Sequence, residues 1–126
     1  MKYLLDTQIL IWYFNGDKRL HQDHIDVISN AENEVFVSVV SYWEIAIKAA
    51  IGKLKLDYTV SKLEKMAQVH DFQTLGMSVH ALDHLRDLDM DHQDPFDRYL
   101  LCQSRVENLE FITEDHRLKQ YLGRSS

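Results

Sequence analysis

V-F-V-S-V-V-S-Y-W-E-I-A-I-K-A-A-I-G, Val35 to Gly52, decides how this chain folds. Val35 to Val39 is a continuous β-branched and aromatic run, as in a strand buried on both faces. A helix follows. Ser41 is placed to cap Tyr42 to Ile51, and Gly52 to end it. Between Val35 and Ile51 the only charges are Glu44 and Lys48. A helix that is apolar nearly all round is a buried one. Glu44 therefore carries a carboxylate into the interior, which is costly unless it is paired, protonated or bound to a cation.

The same alternation extends both ways. Tyr3-Leu4-Leu5 reads as a short buried strand ending at Asp6, and Ile9 to Phe14 as a helix broken by Gly16-Asp17. His21 to Ala31 reads as a second helix, with Ile25 and Ile28 three apart. Val60, Leu63 and Ala67 mark an amphipathic helix, Thr74-Leu75 a short strand, and Val79, Leu82 and Leu85 a further helix. Asp94-Pro95 opens a helix to about Glu107, an Asp cap followed by proline at the first helical position. Phe111-Ile112-Thr113 is the last strand, and His116 to Leu122 a final short helix. Short apolar strands alternating with helices predict an α/β three-layer sandwich. Its short parallel sheet has four to five strands, with helices on both faces. Ligands of such sheets sit beyond the carboxyl ends of the strands.

The 126 residues suit one domain, on a prior of about 150 residues per domain. It is expected over residues 1–122, with Gly123 to Ser126 a frayed tail. Apolar residues at 45% and charged residues at 27% exclude a disordered chain. The single Cys102 excludes an internal disulfide and fits a reducing cytoplasm. No stretch approaches the roughly 18 apolar residues of a membrane span, and no signal-peptide pattern is present. Twenty acidic against 14 basic side chains, a net charge of −6, argue against broad charge-driven nucleic-acid coating. A local basic patch remains compatible with that balance.

Asp6 directly follows the first strand, and Asp115 stands two residues after Thr113 at the end of the last. If these strands are parallel neighbours, both carboxylates reach one sheet edge. Asp97 lies in the first turn of the helix opened by Asp94-Pro95. No strand leads into that helix, so its position is less constrained. Each acid has a plainer reading. Asp6 can be a helix cap, Glu44 and Lys48 an i,i+4 ion pair, Asp94 and Asp97 parts of one cap, and Asp115 a turn residue. Together, three or four acids at one edge are hard to explain without a cation, and an all-oxygen donor set favours Mg²⁺ or Mn²⁺ over zinc.

The stretches Y-L-L-D-T (Tyr3 to Thr7), S-V-V-S-Y-W-E-I-A-I-K (Ser38 to Lys48) with I-G-K-L (Ile51 to Leu54), H-Q-D-P-F-D-R (His92 to Arg98) and I-T-E-D (Ile112 to Asp115) occur in this order. In them the chain resembles PIN-domain ribonucleases, specifically VapC-type toxins of bacterial type II toxin–antitoxin systems. The resemblance covers nearly the whole chain. It implies a metal-binding acidic quartet of Asp6, Glu44, Asp97 and Asp115, with Thr7 and Thr113 as the small hydroxyl residues beside it. Asp94 is a cap first and a supporting ligand second. Many such relatives carry a further strand after the last acid. Here the fifth strand is expected to be absent or very short, which leaves the sheet edge and dimer contact open.

The implied activity is an endoribonuclease: RNA phosphodiester hydrolysis by water activated on one or two Mg²⁺ or Mn²⁺ ions, with Asp6 or Asp97 orienting the water. Lys48, Lys53 and Lys55, with Arg98, are candidates for RNA backbone contacts, and for Lys53 and Lys55 a solvated surface is the equal alternative. Trp12, Tyr13 and Trp43 can stack bases, although packing is the commoner use of such residues. The implied partners are the RNA substrate, a small cognate antitoxin protein and a second copy in a homodimer.

The alternative is a catalytically silent PIN-like protein-binding module, whose mark would be a lost carboxylate; all four are present. A histidine metal site at His80 and His84, with Asp83, Asp87 and His92 nearby, lacks the zincin glutamate, since Ala81 follows the first histidine. His21 and His24 are a weaker pair of the same kind. A receiver-like domain needs an acceptor aspartate ending a middle strand, and neither Val35–Val39 nor Thr74-Leu75 offers one.

Overall fold

A strand inside a parallel sheet has two faces to bury, and successive side chains take opposite ones. The computed structural model, which describes residues 1–88 and 94–122, shows this separation at residue level. Its strands are β1 (Lys2–Leu5), β2 (Glu34–Ser38), β3 (Gln73–Leu75) and β4 (Glu110–Ile112). Leu5, Val35, Val37 and Ile112 enter one core cluster, while Leu4, Phe36 and Phe111 enter another.

Helices α1 (Thr7–Asn15), α2 (Gln22–Ser29), α3 (Val39–Ala50) and α4 (Val60–Val69) supply the first cluster, through residues such as Ile9, Leu10, Ile28, Ile45 and Leu63. Helices α5 (Val79–Asp87), α6 (Pro95–Val106) and α7 (His116–Lys119) supply the second, through Ala81, Leu100, Leu101 and Leu118. Val40 of α3 also reaches the second cluster. The result is the expected three-layer α/β sandwich. All three strand pairings are parallel, in the order β3-β2-β1-β4.

That order positions the site. The chain leaves β1 into α1 on one face of the sheet and leaves β4 into α7 on the other. A crevice opens where neighbouring strands send their connections to opposite faces. It lies beyond Leu5 and Ile112, which are paired in register.

The local signals act as the sequence predicts, with corrections. Gly16 closes α1 in the left-handed region at φ +61°, where a side chain would be strained. Asp94 caps α6, accepting from the Phe96 and Asp97 N–H groups at 2.9 and 3.1 Å. Helix α3 begins at Val39 rather than Tyr42. Its cap is Ser38, the last residue of β2, whose Oγ accepts from the Val40 N–H at 3.1 Å. An apolar run shared by a strand and a buried helix carries no period that marks the junction. Helix α7 is shorter than expected, and no fifth strand occurs among the described residues. His92 and the tail Gly123 to Ser126 lie outside the described residues. Among those described, no helix is long and apolar enough to cross a membrane.

Candidate active site

At the crevice, Asp6 and Thr113 each stand one residue beyond a strand, and the pairing Leu5–Ile112 makes them level. The Asp6 N–H donates to the Ile112 carbonyl at 2.9 Å, so the ladder continues to this point. Asp6 occupies the N-cap position of α1 but makes no side-chain cap bond. Its Oδ2 accepts instead from Thr113 Oγ1 at 2.7 Å. The plain capping reading of Asp6 is therefore incorrect. Its carboxylate is directed to the site because Thr113 holds it there.

Asp6 is buried, and burial is the main reason its pKa is pushed up from 3.8 to about 7. The negative charge of Asp97 adds to this, and that of Glu44 adds less, while the Thr113 hydrogen bond works in the opposite direction. Carboxylates carried on α3 and α6 thus act on the one that follows β1. Asp97 was the least constrained by sequence. It reaches the cleft because α6 is docked there by tertiary packing.

Glu44 is 3% exposed. Its Oε2 accepts from the Lys48 ammonium, while its Oε1 is buried without a hydrogen-bond partner among the described residues. Burial works to lower the Lys48 pKa. The hydrogen bond to Glu44 and the charges of Glu44, Asp94 and Asp97 outweigh it and hold the ammonium above its ordinary value. Thr7 donates to Ser41 Oγ at 2.9 Å, fastening α1 to α3 between Asp6 and Glu44.

Asp115 caps α7, with Oδ1 accepting from the Arg117 N–H at 2.8 Å, and its own N–H donates to Thr113 Oγ1 at 3.1 Å. Asp6, Thr7, Glu44, Lys48, Lys53, Asp94, Asp97 and Asp115 all line one cleft of about 560 Å³. Thr113 supports it from behind.

Other candidates fall elsewhere. Lys55 is exposed and outside the cleft lining. The Arg98 guanidinium is directed at the Leu88 carbonyl, 3.5 Å away, and also does not line the cleft. Trp12 is half-buried at the cleft wall, with the Arg19 guanidinium 4.8 Å from its ring centre. Tyr13 packs with Phe14, Phe72 and His70. Trp43 is 54% exposed and meets Phe96 edge to face. His80 and His84 are exposed on α5.

Sequence reasoning missed Glu114 and Arg117, which also line the cleft. Glu114 Oε1 lies 2.7 Å from His24 Nδ1 and accepts from the His21 N–H at 3.2 Å. The signal available was weak: an acid beside Asp115, and two histidines three residues apart.

Among the described residues, no three His, Cys, Asp or Glu side chains are gathered so as to hold a metal ion as they stand. The donors nonetheless suit a hard divalent cation. They are all oxygen, one buried carboxylate oxygen lacks a partner, and Asp6 is burdened by two neighbouring negative charges.

A PIN domain family profile matches residues 3–122. No curated protein matches the chain significantly in sequence. Solved structures that share the fold include the following two. VapBC2 from Rickettsia felis, crystallised with a DNA fragment from its promoter, is similar at 14% identity and a TM-score of 0.65, over 95% of this chain and 92% of that one. A toxin–antitoxin complex from Klebsiella pneumoniae is similar at 21% identity and a TM-score of 0.61, over 96% and 91%.

Proposed function

We propose, from the premise that this chain belongs to the PIN-domain family, that it is a divalent-cation-dependent endoribonuclease acting as the toxin of a toxin–antitoxin pair. The observation that carries the reading is the meeting of buried Asp6 and Glu44 with Asp97 at the crevice between β1 and β4. Burying carboxylates beside one another is unfavourable in itself. A fold that does so at the ligand-binding edge of a parallel sheet is arranged for a cation.

Asp6, Glu44, Asp97 and Asp115 are the residues that would hold Mg²⁺ or Mn²⁺. When bound, the cation supplies an activated water and neutralises charge on the scissile phosphate. The chain's own groups do the rest. Thr113 fixes the Asp6 carboxylate, and Asp6 or Asp97 orients the water. Lys53 and Arg117, which line the cleft beside its acids, engage backbone phosphates.

A small antitoxin is the proposed protein partner, supported by two toxin–antitoxin structures that share this fold. Exposed Val39 and Trp43, one turn apart on α3, with exposed Met77 before α5 and Val79 at its first position, support a second copy as a further partner. The cytoplasm, where RNA and a reduced Cys102 coexist, is the proposed location.

The test is cleavage of end-labelled structured RNA by purified, partner-free protein with Mg²⁺, Mn²⁺ or EDTA, beside Asp6→Ala and Asp97→Ala. Cation-dependent cleavage lost in both variants is expected. A folded, cation-loaded wild type that cuts neither tRNA nor ribosomal RNA would reverse the reading in favour of a silent binding module.

A further inference from the structure

Lys48 occupies an unusual place for a lysine. Its side chain is 40% exposed, so water is within reach, yet its ammonium lies on Oε2 of the buried Glu44. It also lies within the field of Asp94 and Asp97. These carboxylates line the cleft assigned above to a divalent cation. We propose that Lys48 is the resident counter-ion of this cleft: it holds Glu44 while no divalent cation is bound, and it must be displaced for one to bind. The inference rests on reading the cleft as a cation site.

Three observations carry it. First, Glu44 is the only acid in a helix that is otherwise apolar around it, and a carboxylate so deeply buried is costly without a positive partner. Lys48 supplies that partner from one helical turn away. Second, the partnership is incomplete. Lys48 takes only Oε2, and Oε1 remains buried without a partner among the described residues. Glu44 therefore has an oxygen that no described residue engages. Third, no three carboxylates are gathered around a common point among the described residues. Each has a present engagement: Asp6 with Thr113, Glu44 with Lys48, Asp94 and Asp115 with the first turns of α6 and α7. Arg117 also pairs with Asp115, at 3.5 Å, but both of those side chains are open to solvent; Lys48 is the charged partner set against a buried carboxylate, on a flexible stem that can swing to water.

A divalent ion arriving on Glu44 would meet the ammonium at ion-pair range, where two positive charges repel strongly. Cation binding then includes the work of moving Lys48. An i,i+4 ion pair that only stabilises α3 makes a different prediction, because cutting it would leave cation affinity unchanged.

The test measures Mn²⁺ binding to the partner-free full chain by titration calorimetry, for wild type and Lys48→Gln. The glutamine amide can still donate to Glu44 but carries no charge. Loss of one positive charge at this range is expected to tighten Mn²⁺ binding on the order of tenfold. Saturating Mn²⁺ should also raise the melting temperature of Lys48→Gln by more than it raises that of wild type. Equal or weaker Mn²⁺ affinity in folded Lys48→Gln overturns the proposal and leaves the cation site standing. Absence of Mn²⁺ binding by both folded proteins overturns the cation reading beneath it, and the proposal with it. A measurement on wild type alone covers a variant that fails to fold. The Lys48 Cε resonance should move to the position of exposed lysines on Mg²⁺ saturation, and a resonance that stays in place overturns the proposal.

Discussion

Thr113 Oγ1 donates to Asp6 Oδ2 at 2.7 Å, joining residues 107 positions apart. The contact follows from register, since both residues continue strands paired at Leu5 and Ile112. Thr113 also accepts from the Asp115 N–H, so one hydroxyl ties two proposed ligands together. Thr113→Val keeps the shape and removes the hydroxyl. A charge-assisted bond to a buried carboxylate contributes about 1.5–3 kcal/mol, and a loss of that size is expected in chemical denaturation at pH 8. Loss of the bond should also raise the Asp6 pKa further, since Thr113 now lowers it. An unchanged unfolding midpoint would show that water replaces the hydroxyl at no cost.

The raised Asp6 pKa makes stability of the metal-free protein depend on pH in an uncommon direction. Unfolded, Asp6 loses its proton near 3.8; folded, near 7. Between these values the folded state holds a proton that the unfolded state has released. Stability therefore falls as pH rises through that window. Three pKa units correspond to roughly 4 kcal/mol of cost once Asp6 is ionised. Asp6→Asn removes that cost. In EDTA at pH 8 the variant should melt above wild type, with the gap narrowing toward pH 4, while cation-dependent cleavage is lost. A variant less stable than wild type at pH 8 would contradict this assignment.

Asp94 combines two roles that substitution can separate. Its Oδ1 caps α6, and its carboxylate lines the cleft. Asp94→Ala should cost about 1 kcal/mol through the lost cap. Asp94→Ser retains a capping oxygen and should recover most of that loss. If the charge also serves the cation, both variants weaken Mn²⁺ binding, and Ser does not rescue it. Wild-type affinity in Asp94→Ser would reduce Asp94 to a cap.

What the sequence made legible were features with local causes. Val35 to Val37 alternate between the two cores because a strand buried on both faces needs an unbroken apolar run. Asp94-Pro95 starts α6 because cap and proline act within one turn. Glu44 stood out because its helix holds almost no other charge. The start of α3 was not legible, since Val39 and Val40 suit strand and helix alike. The place of Asp97 was not either, because the docking of α6 is a tertiary matter with no strand leading into it. Glu44 also pairs with Lys48 while lining the cleft, so the ion pair and a place at the site coexist. Sequence treated these as exclusive. Three dimensions do not.

The contact between His24 and Glu114, not visible in the sequence, gives the last prediction. The buried side of Glu114 receives the His24 ring nitrogen at 2.7 Å and the His21 N–H at 3.2 Å. An ionised carboxylate only accepts, so the imidazole is the donor. These bonds fasten the start of α2 to the connection between β4 and α7, next to Asp115. His24→Ala leaves a largely buried carboxylate short of a donor and should cost about 1–3 kcal/mol. Glu114→Gln keeps an acceptor for both donors and should cost less. If the fastening also positions Asp115, His24→Ala weakens Mn²⁺ binding at a temperature where the protein is fully folded, and Glu114→Gln does so to a smaller extent. Equal Mn²⁺ affinity in folded His24→Ala would confine the contact to stability, since a misplaced Asp115 must register in the affinity of any cation it helps to hold.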